Sequence, residues 1–79
     1  MTEPQVLATL TFALHEVVPE MAGEQLDPRV TLASLGCSSI DRAEIITITM
    51  ERTRADVPLE AFDSGLTIEE LVKIVSSHA

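Results

Sequence analysis

Apolar residues recur at helical spacing in three separate stretches of this 79-residue chain, and Pro19, Gly36, Pro58 and Gly65 stand between them. Each stretch offers one stripe for burial, so three stripes point to a small helical bundle. The first is Leu7, Leu10, Leu14 and Val17, widened by Val6, Ala13 and Val18. It predicts a helix from about Pro4 to Val18, capped by Thr2 or Glu3. Pro4 suits the first turn, where its missing N–H costs nothing. Pro19 ends the helix by forcing the preceding residue out of helical geometry.

A second helix is expected to begin at Ser38-Ser39 and run to about Thr53 or Arg54. Gly36 breaks the chain before it, a serine caps it, and Asp41 sits in the first turn, where the helix dipole favours it. Ile40, Ala43, Ile46 and Met50 fall on one face, with Ile45 and Ile48 to one side. The β-branched run Ile45 to Thr49 also suits a strand. Helix is the better reading, since a lone strand would have no partner. After Pro58, Leu59 to Ser64 has room for one or two helical turns before Gly65. The last helix opens on a capping box, Thr67 with Glu70, and buries Ile68, Leu71, Val72 and Val75. It is expected to fray over Ser76-Ser77-His78-Ala79.

The connection from Pro19 to Ser38 is long and punctuated by Gly23, Pro28 and Gly36. Leu26, Val30, Leu32 and Leu35 are spaced through it like pegs, which predicts an ordered loop lying across the core. The expected fold class is therefore all-α. It is a small four-helix bundle, three main helices plus one short helix, with a long first loop and one domain over residues 1–79.

Thirteen acidic residues face five Lys and Arg, a net charge of -8 with both His neutral. Nucleic acid and anionic membranes both reward basic clusters, so neither is an expected partner. A partner with a basic patch is favoured instead. At 46% hydrophobic, the chain is too apolar for a disordered acidic tail. One Cys excludes an internal disulfide, and no Cys/His spacing suggests zinc. Met1-Thr2-Glu3-Pro4 is unlike a signal peptide, and no apolar run reaches the length of a membrane span. A soluble cytoplasmic domain is expected.

Catalytic groups are sparse. His15 lies in the first helix and His78 in the tail, so no fixed base–nucleophile pair is suggested. The carboxylates are scattered over every segment, as on a solvated acidic surface. Three separated glycines exclude a phosphate-cradling loop. An enzyme is not expected. The segment Leu35-Gly36-Cys37-Ser38-Ser39-Ile40-Asp41 stands apart, because it places hydroxyls and outward N–H groups at the start of an acidic helix. Taken alone, Ser38 and Ser39 read as an N-cap and its neighbour, and Cys37 as a small, partly buried apolar group.

The helix order, the long loop and the segment Leu35 to Asp41 closely resemble acyl carrier proteins, whose motif reads Leu-Gly-x-Asp-Ser-Leu/Ile. The resemblance continues at Glu44, at Val57-Pro58 before the short helix, and at Thr67-Ile68 opening the last one. It implies that Ser39 carries a 4′-phosphopantetheine arm, received from coenzyme A through a phosphopantetheinyl transferase. Ser38 stands where the family has Asp. Ile40 would lie beside the arm, and Asp41 and Glu44 would be the first acidic contacts for partner enzymes. The partner face as a whole would comprise Ser38, Ile40, Asp41, Arg42, Glu44, Ile45 and Glu51.

Gly36 to Ile45 resembles, more narrowly, the stand-alone carriers of polyketide β-branching cassettes. These deliver acetyl units to a 3-hydroxy-3-methylglutaryl (HMG) synthase-like enzyme, after a ketosynthase or decarboxylase has supplied the acyl group. Arg42 and Arg52 among the acids of the second helix suit a dedicated partner. Phe12, off the main stripe, would face a groove for the acyl chain or a partner. The protein is expected to be a monomer and to need no metal of its own. A fatty-acid or chain-elongating polyketide carrier is the alternative, and an unmodified acidic interaction module is the alternative of another class.

Overall fold

The computed structural model describes residues 1–79, with three α-helices: α1 (Glu3–Val17), α2 (Ser39–Thr53) and α3 (Ile68–His78). Single 3-10 turns fill the connections, at Pro19–Met21, Ala33–Leu35 and Leu59–Ala61. The short helix expected after Pro58 is the last of these turns.

All three helices open in the same way. A hydroxyl accepts the N–H three residues on, and the side chain there accepts the cap residue's own N–H: Thr2 with Gln5, Ser38 with Asp41, Thr67 with Glu70. Each reciprocal pair satisfies two of the donors that a helix start leaves open. The ends differ. Val18 closes α1 ahead of Pro19, whereas α2 ends on Arg54 in the left-handed region, at φ 58°. Its N–H there returns to the Met50 carbonyl.

α1 packs against both α2 and α3. The core gathers Val6, Leu10, Ala13 and Leu14 from α1, Ile45 and Ile46 from α2, and Ile68, Leu71, Val72 and Val75 from α3. Leu32 and Cys37 complete it from the long loop, with Leu26, Val30 and Leu35 packed against its edge. The pegs therefore lie where their spacing placed them. Two backbone bonds tie this loop to the start of α3: Ile68 N–H to Val30 O and Glu69 N–H to Pro28 O, both 2.9 Å. They give two donors of that helix start acceptors outside the helix.

The buried stripe of α2 differs from the expected one. Ile40 and Ala43 are exposed, while Ile45, Ile46, Thr49 and Thr53 face inward. Thr49 and Thr53 are counted as polar in a hydropathy pattern, yet their hydroxyls donate to the Ile45 and Thr49 carbonyls one turn back, each at 2.8 Å. With the oxygen satisfied inside its own helix, the rest of the side chain packs as an apolar branched group. The face is thus Ile45, Thr49 and Thr53 at four-residue intervals, with Ile46 beside it. A second difference lies at the end of α3, which stays helical through His78 where fraying was expected. Ser76 and Ser77 donate to the Lys73 and Ile74 carbonyls, and the His78 ring reaches Ile74 O at 3.0 Å, so side chains engage the last turn.

Ile45→Ala should lower stability by about 2–5 kcal/mol, as for other buried large-to-small changes. Ile40→Ala should change it by under about 0.5 kcal/mol, as at ordinary surface sites. Urea denaturation of both variants checks this, and equal losses would contradict the stripe.

Candidate functional site

The site is assembled where the long loop turns into α2. The turn Ala33–Leu35 closes on Gly36 at φ 90°, a left-handed conformation that glycine adopts without strain. Cys37 follows into the core at 5% exposure. The chain then emerges, so that Ser38, Ser39 and Ile40 are all exposed.

The two serines have different tasks. Ser38 Oγ accepts the Asp41 N–H at 3.1 Å, and the Asp41 carboxylate accepts the Ser38 N–H at 3.0 Å. Ser38 is therefore the cap. Ser39, the first residue of α2, stands outside this pair, with its hydroxyl in solvent. A helix start also leaves its first N–H groups without partners inside the helix, and its dipole favours an anion there.

Ser39 opens onto a groove of about 220 Å³ between α2 and the segment 59–66. Arg42, Ala43 and Ile46 form one wall, Leu59, Phe62 and Leu66 the other, and Asp63 and Ser64 lie at its polar edge. The opposite wall was missed from the sequence. Leu59 and Phe62 are three residues apart in a segment long enough for one turn, and nothing local reveals that this turn faces Ser39.

The remaining candidates sort by exposure. Ile40, at 69%, is the most exposed large apolar side chain. Glu44 and Glu51 are exposed, and Asp41 is half-buried beside the cap. Ile45 must be corrected: it is fully buried in the core cluster, so it is a core residue and presents nothing to a partner. Arg42 is half-buried and donates through Nη1 to the Cys37 carbonyl at 3.0 Å. Arg52 lies over the Phe12 ring, 4.1 Å from its centre, so Phe12 carries a cation–π contact with α2 on a face away from the groove. Burial pushes the Cys37 thiol up from its ordinary value; Asp41 adds to that shift and Arg42 opposes it.

An exposed hydroxyl left free by the cap, an anion-favouring helix start and an adjoining apolar groove fit a phosphate-linked arm on Ser39. No protein-family model matches the chain. Over 75 residues it is 32% identical to the polyketide biosynthesis acyl-carrier-protein AcpK of Bacillus subtilis (strain 168), covering 95% of this chain and 92% of that protein. It also matches a chain in the crystal structure of the curacin biosynthetic pathway HMG synthase in complex with acetyl donor-ACP. That match has a TM-score of 0.87 and 31% identity, over 98% of this chain and 99% of the other.

Ser38→Ala should cost about 1 kcal/mol through loss of the cap, whereas Ser39→Ala should leave the unfolding midpoint near wild type. Chemical denaturation separates the two serines. The Cys37 shift has a definite sign. The folded chain keeps the thiol proton at pH values where the unfolded chain releases it, so stability should fall as pH rises above about 8.5. Urea midpoints across that range should show the fall, and Cys37→Ala should lessen it.

Proposed function

This chain belongs to the acyl carrier protein family, at 32% identity over 95% of its length, and from that premise we propose that its attachment point is the Ser39 hydroxyl. The observation that carries the assignment is the division between the serines: the cap occupies Ser38, and Ser39 stands free beside it. In this family a 4′-phosphopantetheine arm supplies a terminal thiol that holds an acyl group as a thioester. A phosphopantetheinyl transferase, drawing on coenzyme A, would modify Ser39.

The chain's own residues then hold and present. The start of α2 favours the phosphate charge on Ser39, because its dipole and open N–H groups are aimed there. Ile46, Leu59, Phe62 and Leu66 offer a short acyl chain shelter from water. Ile40 projects from the exposed side of α2 beside Ser38, Asp41 and Glu44, and Glu51 extends the acidic surface three turns further along the helix. Such a surface steers encounter with a basic docking patch.

The proposed cargo is acetyl, and the proposed recipient is an HMG synthase-like enzyme of polyketide β-branching. Support comes from the likeness to a polyketide carrier and to a chain of the crystal structure of an HMG synthase in complex with acetyl donor-ACP. A ketosynthase or decarboxylase would supply the acyl group. The carrier would work as a single-domain, non-catalytic monomer in the cytoplasm; no helix is long and apolar enough to cross a membrane.

Incubation with a broad-specificity phosphopantetheinyl transferase and coenzyme A should add one arm by intact mass to the wild type and none to Ser39→Ala. The acetylated product should then donate to a β-branching synthase. A gain on Ser39→Ala would refute the attachment site. Equal service to a chain-elongating ketosynthase would refute the narrower role.

A further inference from the structure

Arg42 stands out among the five basic residues. Arg29 pairs with Asp27, Lys73 with Glu69, Arg52 covers Phe12, and Arg54 closes α2 in solvent. Arg42 has no carboxylate within ion-pair distance, although Asp63 lines the same groove. One of its nitrogens is tied to the Cys37 carbonyl at 3.0 Å. Cys37 lies five residues earlier, so the side chain folds back along α2 toward the helix start. That is the direction in which long helical side chains lean. Ser39 is three positions before Arg42, hence its neighbour on the helix surface, and both line one groove.

We infer that Arg42 is a built-in counter-ion for the phosphodiester on Ser39, seating the base of the arm at the mouth of the groove. The inference rests on Ser39 being the attachment point. A phosphodiester there lies two residues from the Asp41 carboxylate, on a chain of net charge -8. Its nearest charged neighbours would otherwise repel it. A guanidinium offers five donors in a planar fork suited to phosphate oxygens, and the Cys37 carbonyl occupies only Nη1. With one nitrogen anchored, less side-chain freedom is lost when the others engage an anion. The seated base would hold the first segment of the arm against α2 and direct the rest along the wall formed by Leu59 and Phe62. Arg42 is in this sense a positioning residue. It is distinct from the exposed acids that address the partner.

Side-chain NMR of nitrogen-15-labelled protein, in apo, holo, acetyl and malonyl forms, tests the assignment. Arg42→Lys identifies the Arg42 Nε–H signal by its loss. That signal should move by more than its line width between apo and holo, with the Arg29, Arg52 and Arg54 signals in place, and should then stay put on acetylation. The phosphorus-31 signal of holo Arg42→Gln should be displaced from wild type, and Arg42→Lys should return it part of the way. The backbone amide spectrum verifies that both variants are folded. An Arg42 signal unchanged between apo and holo overturns the proposal. So does a signal that moves only in the malonyl form, since the anion held would then be the cargo's carboxylate. Absence of any phosphorus signal together with absence of a mass gain overturns the attachment reading itself, and is thereby distinguished from a failure of Arg42 alone.

Discussion

The reciprocal hydrogen bonds between Ser38 and Asp41 set everything around the site. They fix where α2 begins, and therefore which residues stand in its exposed first turn. They leave the Ser39 hydroxyl free because the neighbouring serine does the capping. Burial of Ile45, Ile46 and Thr49 then sets the helix face, which leaves Ile40 and Glu44 outward. A start one residue later would make Ser39 the cap, with its oxygen engaged by a backbone N–H. The two serines look interchangeable in the sequence, but only one ordering of their tasks leaves a free hydroxyl at the end of the groove.

The long loop is the second support of this arrangement. Its bonds to the start of α3, through Val30 and Pro28, hold it across the bundle, and Leu32 fills the core beneath it. The site thus lies between a capped helix and an anchored loop. A small domain gains little rigidity from its core volume alone. Here residues far apart in sequence are linked beside the start of α2, through the bonds of Val30 and Pro28 to α3.

Much of this was legible in the sequence, for identifiable reasons. Pro4, Pro19 and the box Thr67–Glu70 bracket α1 and α3 with signals that act locally, so those helices appear where the residues placed them, except that α3 continues to His78. The segment Leu35 to Asp41 stood out through its resemblance to a known motif, and the structure places its second serine, Ser39, exposed in the first turn of α2. What was hidden depends on tertiary or intrahelical hydrogen bonding. Thr49 and Thr53 read as polar until their hydroxyls are seen bonded within α2, and this moved the buried face onto Ile45. The groove wall of Leu59 and Phe62 comes from a part of the chain with no periodicity to reveal its direction. Arg42 read only as part of the partner face, because its bond to Cys37 O spans five residues and has no signature in spacing.

Cys37 takes on a different meaning beside the proposed arm. A carrier whose working group is a thioester risks losing its cargo to any thiol within reach, because thiolates exchange with thioesters. Cys37 lies two residues from Ser39, yet its sulfur faces the core at 5% exposure and holds its proton above the ordinary range. Exchange requires the ionised sulfur and access to the carbonyl carbon, and burial of Cys37 disfavours both. The same burial that completes the packing also insulates the cargo from the chain's own sulfur. Self-acylation is thereby disfavoured without removing the cysteine.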